Sequence, residues 1–127
     1  MLTNFEEITE DLTHWEIYFS EDIKRYLSDC LSGKKPSPVK QKDIVDQLNY
    51  RLHAEHGRDA TKLKMNTVRL RKYFSYFRMN GLLPIVATSE GCYITTDKEE
   101  IQKQIKSLKE RARQINRAAE GLEKFLI

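Results

Sequence analysis

Eight apolar positions towards the C-terminal end of this 127-residue chain are spaced by 4, 3, 4, 3, 4, 3 and 4 residues. They are Ile101, Ile105, Leu108, Ala112, Ile115, Ala119, Leu122 and Leu126. That alternation is an a/d heptad seam, and it commits the segment to one long helix with a single apolar edge. Asp97 stands at the N-cap position, and Glu99 and Glu100 fall in the first turn, where negative charge suits the helix dipole. Some 28 residues of helix span about 42 Å at ~1.5 Å per residue. Such a helix outruns the single small domain that a chain of this length builds, so part of the seam needs cover. Three arrangements remain open: a homodimer through Ile101, Ile105, Leu108, Ala112, Ile115, Ala119 and Leu122, packing within the chain, or a mixed bundle of both.

The intramolecular partner is an N-terminal stripe. Phe5, Ile8, Leu12, Trp15 and Phe19 recur at steps of three and four. Thr3 with Glu6, and Thr13 with Glu16, both fit the T-x-x-E capping box, so either threonine can begin a helix. Ser20-Glu21-Asp22 offers a third start, followed by Ile23, Tyr26, Leu27, Cys30 and Leu31 on one face, with Gly33 as the stop. Lys34-Lys35-Pro36-Ser37-Pro38 is a loop.

Beyond it, Ile44, Val45, Leu48 and Leu52 predict a helix over about 40–53, and the polar run 54–64 around Gly57 reads as a connecting loop. A further helix is expected over 67–79. Leu70, Tyr73, Phe74 and Phe77 lie at i, i+3, i+4 and i+7 and form its core stripe, Asn66 is its N-cap, and Gly81 ends it. Two short strands follow, over 82–87 and 92–96, joined by the turn Thr88-Ser89-Glu90-Gly91. The expected organisation is an acidic helical extension over 1–19, a folded domain over 20–96 and the long helix over 97–127. The fold class is mostly α, with one β-hairpin.

Charge is unevenly distributed along the chain. Residues 1–32 hold two bases and eight acids, a net of −6, whereas residues 33–127 hold 20 bases and 11 acids, a net of +9. No acid occurs between Asp59 and Glu90, while Lys62, Lys64, Arg69, Arg71, Lys72 and Arg78 all do. An acid-poor basic stretch is the electrostatic footprint of polyanion contact, although a solvated basic face has the same composition.

Helix, helix, basic helix and hairpin is the order of a winged helix-turn-helix. In that arrangement a helix enters the major groove and its N-terminal side chains reach base edges. Asn66, Thr67, Arg69 and Lys72 are the candidates for base contact, since Asn pairs with adenine and Arg with guanine in a bidentate manner. Lys62, Lys64, Arg71, Tyr76 and Arg78 are the candidates for phosphate contact, which gives affinity without sequence choice. Tyr76 is also the one aromatic of this helix that leaves the core stripe and could stack on a base.

The stretch from Val68 to the start of the last helix resembles small winged-helix DNA-binding proteins of phages and related mobile elements. The likeness rests on Arg78-Met79-Asn80-Gly81, Leu83-Pro84-Ile85, Ser89-Glu90-Gly91-Cys92-Tyr93 and Thr96-Asp97, and it covers about a third of the chain. It implies duplex DNA binding in replication or transcriptional regulation. Two departures stand out: a long loop precedes the basic helix, and Glu90 places an acid at the tip of the wing.

Other chemistries find little support. His53-x-x-His56, with Glu55 and Cys30 as companions, has metal-compatible spacing but no second ligand pair, so no metal site is expected. No Ser-His-Asp set, Gly-rich phosphate loop or paired carboxylate motif occurs, and neither an enzyme nor a cofactor is expected. No run of about 18 apolar residues exists, which excludes a membrane-spanning helix. Residues 1–11 lack the basic-then-apolar order of a secretory signal. Lone Cys30 and Cys92 suit a reducing cytoplasm, here that of a bacterial or phage-infected cell, on the nucleoid if DNA is bound. The expected partners are double-stranded DNA, a second copy of the chain, and a protein met by the acidic N-terminus. The alternative is a protein–protein adaptor that uses the basic helix and the seam.

Overall fold

The computed structural model describes residues 12–126, so the Thr3–Glu6 capping box and the stripe members Phe5 and Ile8 lie outside the described residues. The chain is mostly helical with one small two-stranded antiparallel sheet, and it divides into two compact units after Thr95.

The first unit begins with a single turn, α1 (His14–Tyr18), which starts where the capping box predicts. The Thr13 amide donates to Glu16 Oε1 at 2.8 Å, and the Glu16 amide donates to Thr13 Oγ1 at 3.5 Å. Helix α2 (Ser20–Leu31) buries Ile23, Tyr26, Leu27 and Leu31 along one face, as its spacing requires. Helix α3 (Gln41–His56) buries Ile44, Leu48 and Leu52 and runs one turn further than expected. The stretch Gly57–Lys62, expected as loop, is a tight 3₁₀ coil that buries Ala60.

Helix α4 (Thr67–Met79) has the expected bounds and core stripe of Leu70, Tyr73, Phe74 and Phe77. Asn66 Oδ1 accepts from the Arg69 amide at 2.8 Å, which caps its start. Its end is a Schellman motif: Leu82 N–H reaches Phe77 O at 2.8 Å, Gly81 N–H reaches Arg78 O at 3.1 Å, and Gly81 has φ +63°. Leu82 is thereby consumed by the helix stop. The first strand starts later than expected, and the hairpin turn is tighter than expected: β1 (Ile85–Thr88) and β2 (Gly91–Ile94) pair in the register Ile85↔Ile94 to Thr88↔Gly91.

The chain between α2 and α3 adds a third, fragmentary strand to this hairpin. Ser32 bridges Ile94 in parallel fashion, and Val39 exchanges both backbone hydrogen bonds with Cys92, at 2.8 and 2.9 Å. The approach is close enough that a Cβ on Gly91, whose φ is +142°, would lie 2.8 Å from Val39 O. Phe19, the three helical stripes, Leu63, Met65, Ile85 and Cys92 then form one continuous core. Leu12 and Phe19 are buried in this core and Trp15 packs against it, so residues 12–19 are built into the first unit rather than extending from it.

The second unit is the helix α5 (Lys98–Glu123), followed by a 3₁₀ turn over Lys124–Leu126. Asp97 Oδ1 accepts from the Glu99 amide at 2.9 Å and caps it. No residue of α5 is buried.

Candidate nucleic-acid interface

The candidate site is the first half of α4 with the turn that leads into it. Two contacts shape that turn. Asn49, in the middle of α3, donates its Nδ2 to Met65 O at 3.1 Å and accepts from Met65 N–H at 2.9 Å, so one side-chain amide satisfies both backbone groups of a buried residue. Arg69 then donates Nη1 to Lys64 O at 2.8 Å. The carbonyl of Lys64 is thus fixed while its side chain stays exposed.

Arg69 and Lys72, expected at base edges, are instead drawn to an acid from α1. Arg69 Nε donates to Glu16 Oε2 at 2.7 Å, and Lys72 Nζ lies 2.8 Å from Oε1 of the same carboxylate. Glu16 is 2% exposed, and the side chain of Lys72 only 10%. The Tyr73 hydroxyl donates to Glu16 O at 2.6 Å, which ties the α1 backbone to the same place. Burial by itself raises the Glu16 pKa. The hydrogen bonds from Lys72, the Thr13 amide and Arg69 outweigh that effect and hold the carboxyl down at about 2. A carboxylate bonded on both oxygens inside the protein is a structural anchor, and the two cations it engages are not extended towards solvent.

The candidates for phosphate contact divide in the same way. Arg78 turns inward: its Nε donates to Ile85 O at 3.1 Å, and its guanidinium lies 5.9 Å from the centre of the Phe74 ring. Tyr76 is half-buried against the core, its ring edge-on to Phe77 at 5.6 Å. Lys62 lies over the Trp15 ring at 4.5 Å and 3.6 Å from Asp59. Lys64, Asn66 and Thr67 are exposed, and Arg71 is half-exposed on the same turns. Val68 and Met79 complete the outer side of α4 at 47% and 64% exposure.

The histidine motif resolves differently from its spacing. His56, not His53, joins Asp22 and Glu55, and the candidate ligand atoms of these three lie within 4.8 Å of one another. The cluster is already internally compensated. His56 Nε2 contacts Asp22 Oδ2 at 2.9 Å, Arg25 bridges Asp22 and Glu55 at 3.0 and 3.1 Å, and the Tyr26 hydroxyl bonds Glu55. These contacts pin α2 to α3.

Along α5, the seam residues Ile105 and Leu122 are 46% and 61% exposed. Leu126 falls in the 3₁₀ turn, where the helical phase changes, so the α-helical seam runs from Ile101 to Leu122. The described members of the stripe expected to cover it, Leu12, Trp15 and Phe19, belong to the core of the first unit.

The role of Asn49 is not visible in the sequence, because a helical asparagine carries no periodicity signal, and Glu16 shows there only as a capping residue. Among the described residues, no helix is long and apolar enough to cross a membrane. No protein-family model, curated protein or solved structure matches the chain.

Proposed function

We propose that the chain is a non-enzymatic duplex DNA-binding protein of winged helix-turn-helix type that acts as a homodimer, with α4 entering the major groove. The observation that carries this reading is the exposed start of α4. Lys64, Asn66, Thr67 and Arg71 cluster there on a turn that is clamped from behind by Asn49 and Arg69, within a stretch that holds no acid from Ala60 to Ser89. Three packed helices, two isolated bridges from the segment between the first two of them, and a hairpin after the third support that reading. Preorganised loops that present basic side chains bind polyanions without first ordering themselves.

In this reading the division of labour differs from the one that residue types alone imply. Arg69 and Lys72 orient the helix through Glu16, Lys64 and Arg71 meet phosphates, and Thr67 with the free Nδ2 edge of Asn66 meets bases. A role in phage or mobile-element replication or transcriptional control follows from the resemblance described above. Fluorescence-anisotropy titration against random-sequence duplex DNA at two salt concentrations tests the proposal. Affinity that falls steeply with salt supports it, and no retention at the lower salt overturns it.

One observation favours a second reading. The outward side of α4 also carries Val68, Met79 and the adjoining Leu82, all exposed, and its two best-placed cations are neutralised internally. An adaptor that docks this partly apolar face on another protein is the reading to adopt if DNA is not retained.

A further inference from the structure

We infer that α5 is a self-association surface that takes a second copy of the same helix in antiparallel orientation, with its dyad between Arg113 and Gln114. The inference rests on the homodimer of the previous section and adds the geometry of the pair.

Two independent features of the helix select that geometry. The first is size. The seam contains two alanines, Ala112 and Ala119, among larger branched residues. In a parallel, in-register pair, equivalent positions meet, so Ala112 would face Ala112 and Ala119 would face Ala119, leaving two under-filled layers. In the antiparallel pair, Ile105 faces Leu122 of the second copy, Leu108 faces Ala119, and Ala112 faces Ile115. Every alanine then meets a branched side chain, and every layer from Ile105 to Leu122 is filled.

The second feature is charge. One flank of the seam carries Lys106 and Lys109 in its first half and Glu120 and Glu123 in its second. None of the four takes part in an ion pair within the helix, where the pairs are Glu100–Lys103 and Glu110–Arg113. Reversal of one helix lays this flank on its own copy, so that Lys106 meets Glu123 and Lys109 meets Glu120 on both sides of the dyad. A parallel pair instead lays it on the opposite flank, where Lys109 meets Gln104 and Glu123 meets Ala118. The opposite flank, Gln104, Ser107, Arg111, Gln114, Ala118 and Gly121, carries no acid and so offers no matching pattern of charge. An exposed apolar seam with complementary halves on one flank is what a self-complementary, two-fold interface requires.

Sedimentation equilibrium on the full chain tests this through three variants on the exposed flank. K106E/K109E and E120K/E123K should each weaken self-association by about tenfold or more, because like charges then face each other. The quadruple exchange K106E/K109E/E120K/E123K restores opposite charges across the antiparallel pair and should recover the unmodified dimer constant. A general net-charge effect would do otherwise, strengthening association in the first variant, whose net charge lies nearest to zero. Monomeric unmodified protein at about 100 μM, unchanged association in both double variants, or no recovery in the quadruple variant would each overturn the inference. The measurement contains no DNA, so a failure of duplex binding leaves it intact.

Discussion

The ammonium of Lys72 lies 2.8 Å from a Glu16 carboxylate that is almost completely buried, although the two residues belong to α4 and α1, more than fifty residues apart in sequence. Arg69 holds the other oxygen. A basic helix that looks fully committed to an external polyanion therefore directs two of its cations to an internal anion, and α1 is locked in place by them. In the proposed reading, what remains for DNA is the adjoining turn together with Thr67 and Arg71.

The pH dependence of folding reports this anchor. The Glu16 carboxyl is depressed to about 2 in the folded chain from 4.5, so its contribution is complete above pH 4.5 and is lost as pH falls towards 2. Glu16→Gln should flatten that acid limb and lower stability at pH 7 by about 3 kcal/mol, since it leaves the buried cation of Lys72 without its counter-ion. Chemical denaturation at pH 7 and at pH 3 measures both effects.

Lys64→Ala and Arg69→Ala should separate contact from support. Removing the Lys64 side chain is expected to weaken binding to all duplexes alike and to reduce the salt slope by about one, with an unchanged melting temperature. Removing Arg69 abolishes the bonds to Glu16 and to Lys64 O, so affinity and melting temperature should fall together. Paired anisotropy and thermal-melting measurements distinguish the two patterns.

Asn49→Ala should destabilise the chain by about 1–3 kcal/mol, because Met65 N–H and C=O both lose their partner beneath the surface. Duplex affinity should also fall in this variant even though Asn49 lies behind the proposed contact surface. Amide hydrogen exchange at residues 63–67 would show the loosened turn directly.

Gly91→Ala should cost about 1–3 kcal/mol through forced displacement of Val39, whose carbonyl stands 2.8 Å from the added carbon. Gly33→Ala provides the comparison. Its φ of +73° lies near the left-handed region that L-residues can enter, and it meets no atom within 4 Å, so Gly33→Ala should cost less. The difference between their denaturation midpoints measures the Val39 contact together with the greater strain at φ +142°.

Cys30 should resist alkylation in the native state. Burial pushes its thiol up to about 11, so at pH 8 its reaction with iodoacetamide should run at least about tenfold more slowly than in the urea-unfolded chain.

The elements built on one-dimensional periodicity were legible in the chain. The α4 bounds, its Asn66 cap and its four core residues follow from spacing alone, and so does the seam of α5. The extra turn of α3 was hidden because its next inward positions are Glu55 and His56, which face the ion cluster on α2 and so interrupt the apolar pattern. The start of β1 is not legible because Leu82 looks like a strand residue but serves the Schellman turn. At the candidate site, Lys64, Asn66 and Thr67 sit where the pattern puts them. The fates of Arg69, Lys72 and Arg78 depend on Glu16 and Ile85 O, partners fixed only by tertiary packing and invisible to any local window.

The inward turn of Arg78 has a bearing on solubility. A two-stranded ribbon exposes unpaired backbone along its rims, and such rims recruit strands from other molecules. Here Val39 already occupies the rim of β2, and the Arg78 guanidinium sits on the Ile85 carbonyl at the start of β1. With Pro84 offering no N–H next to it, the four residues of β1 present little template for cross-molecular growth. Arg78→Ala would uncover that carbonyl, and slow assembly into β-rich aggregates, rather than simple unfolding, is the failure to watch for.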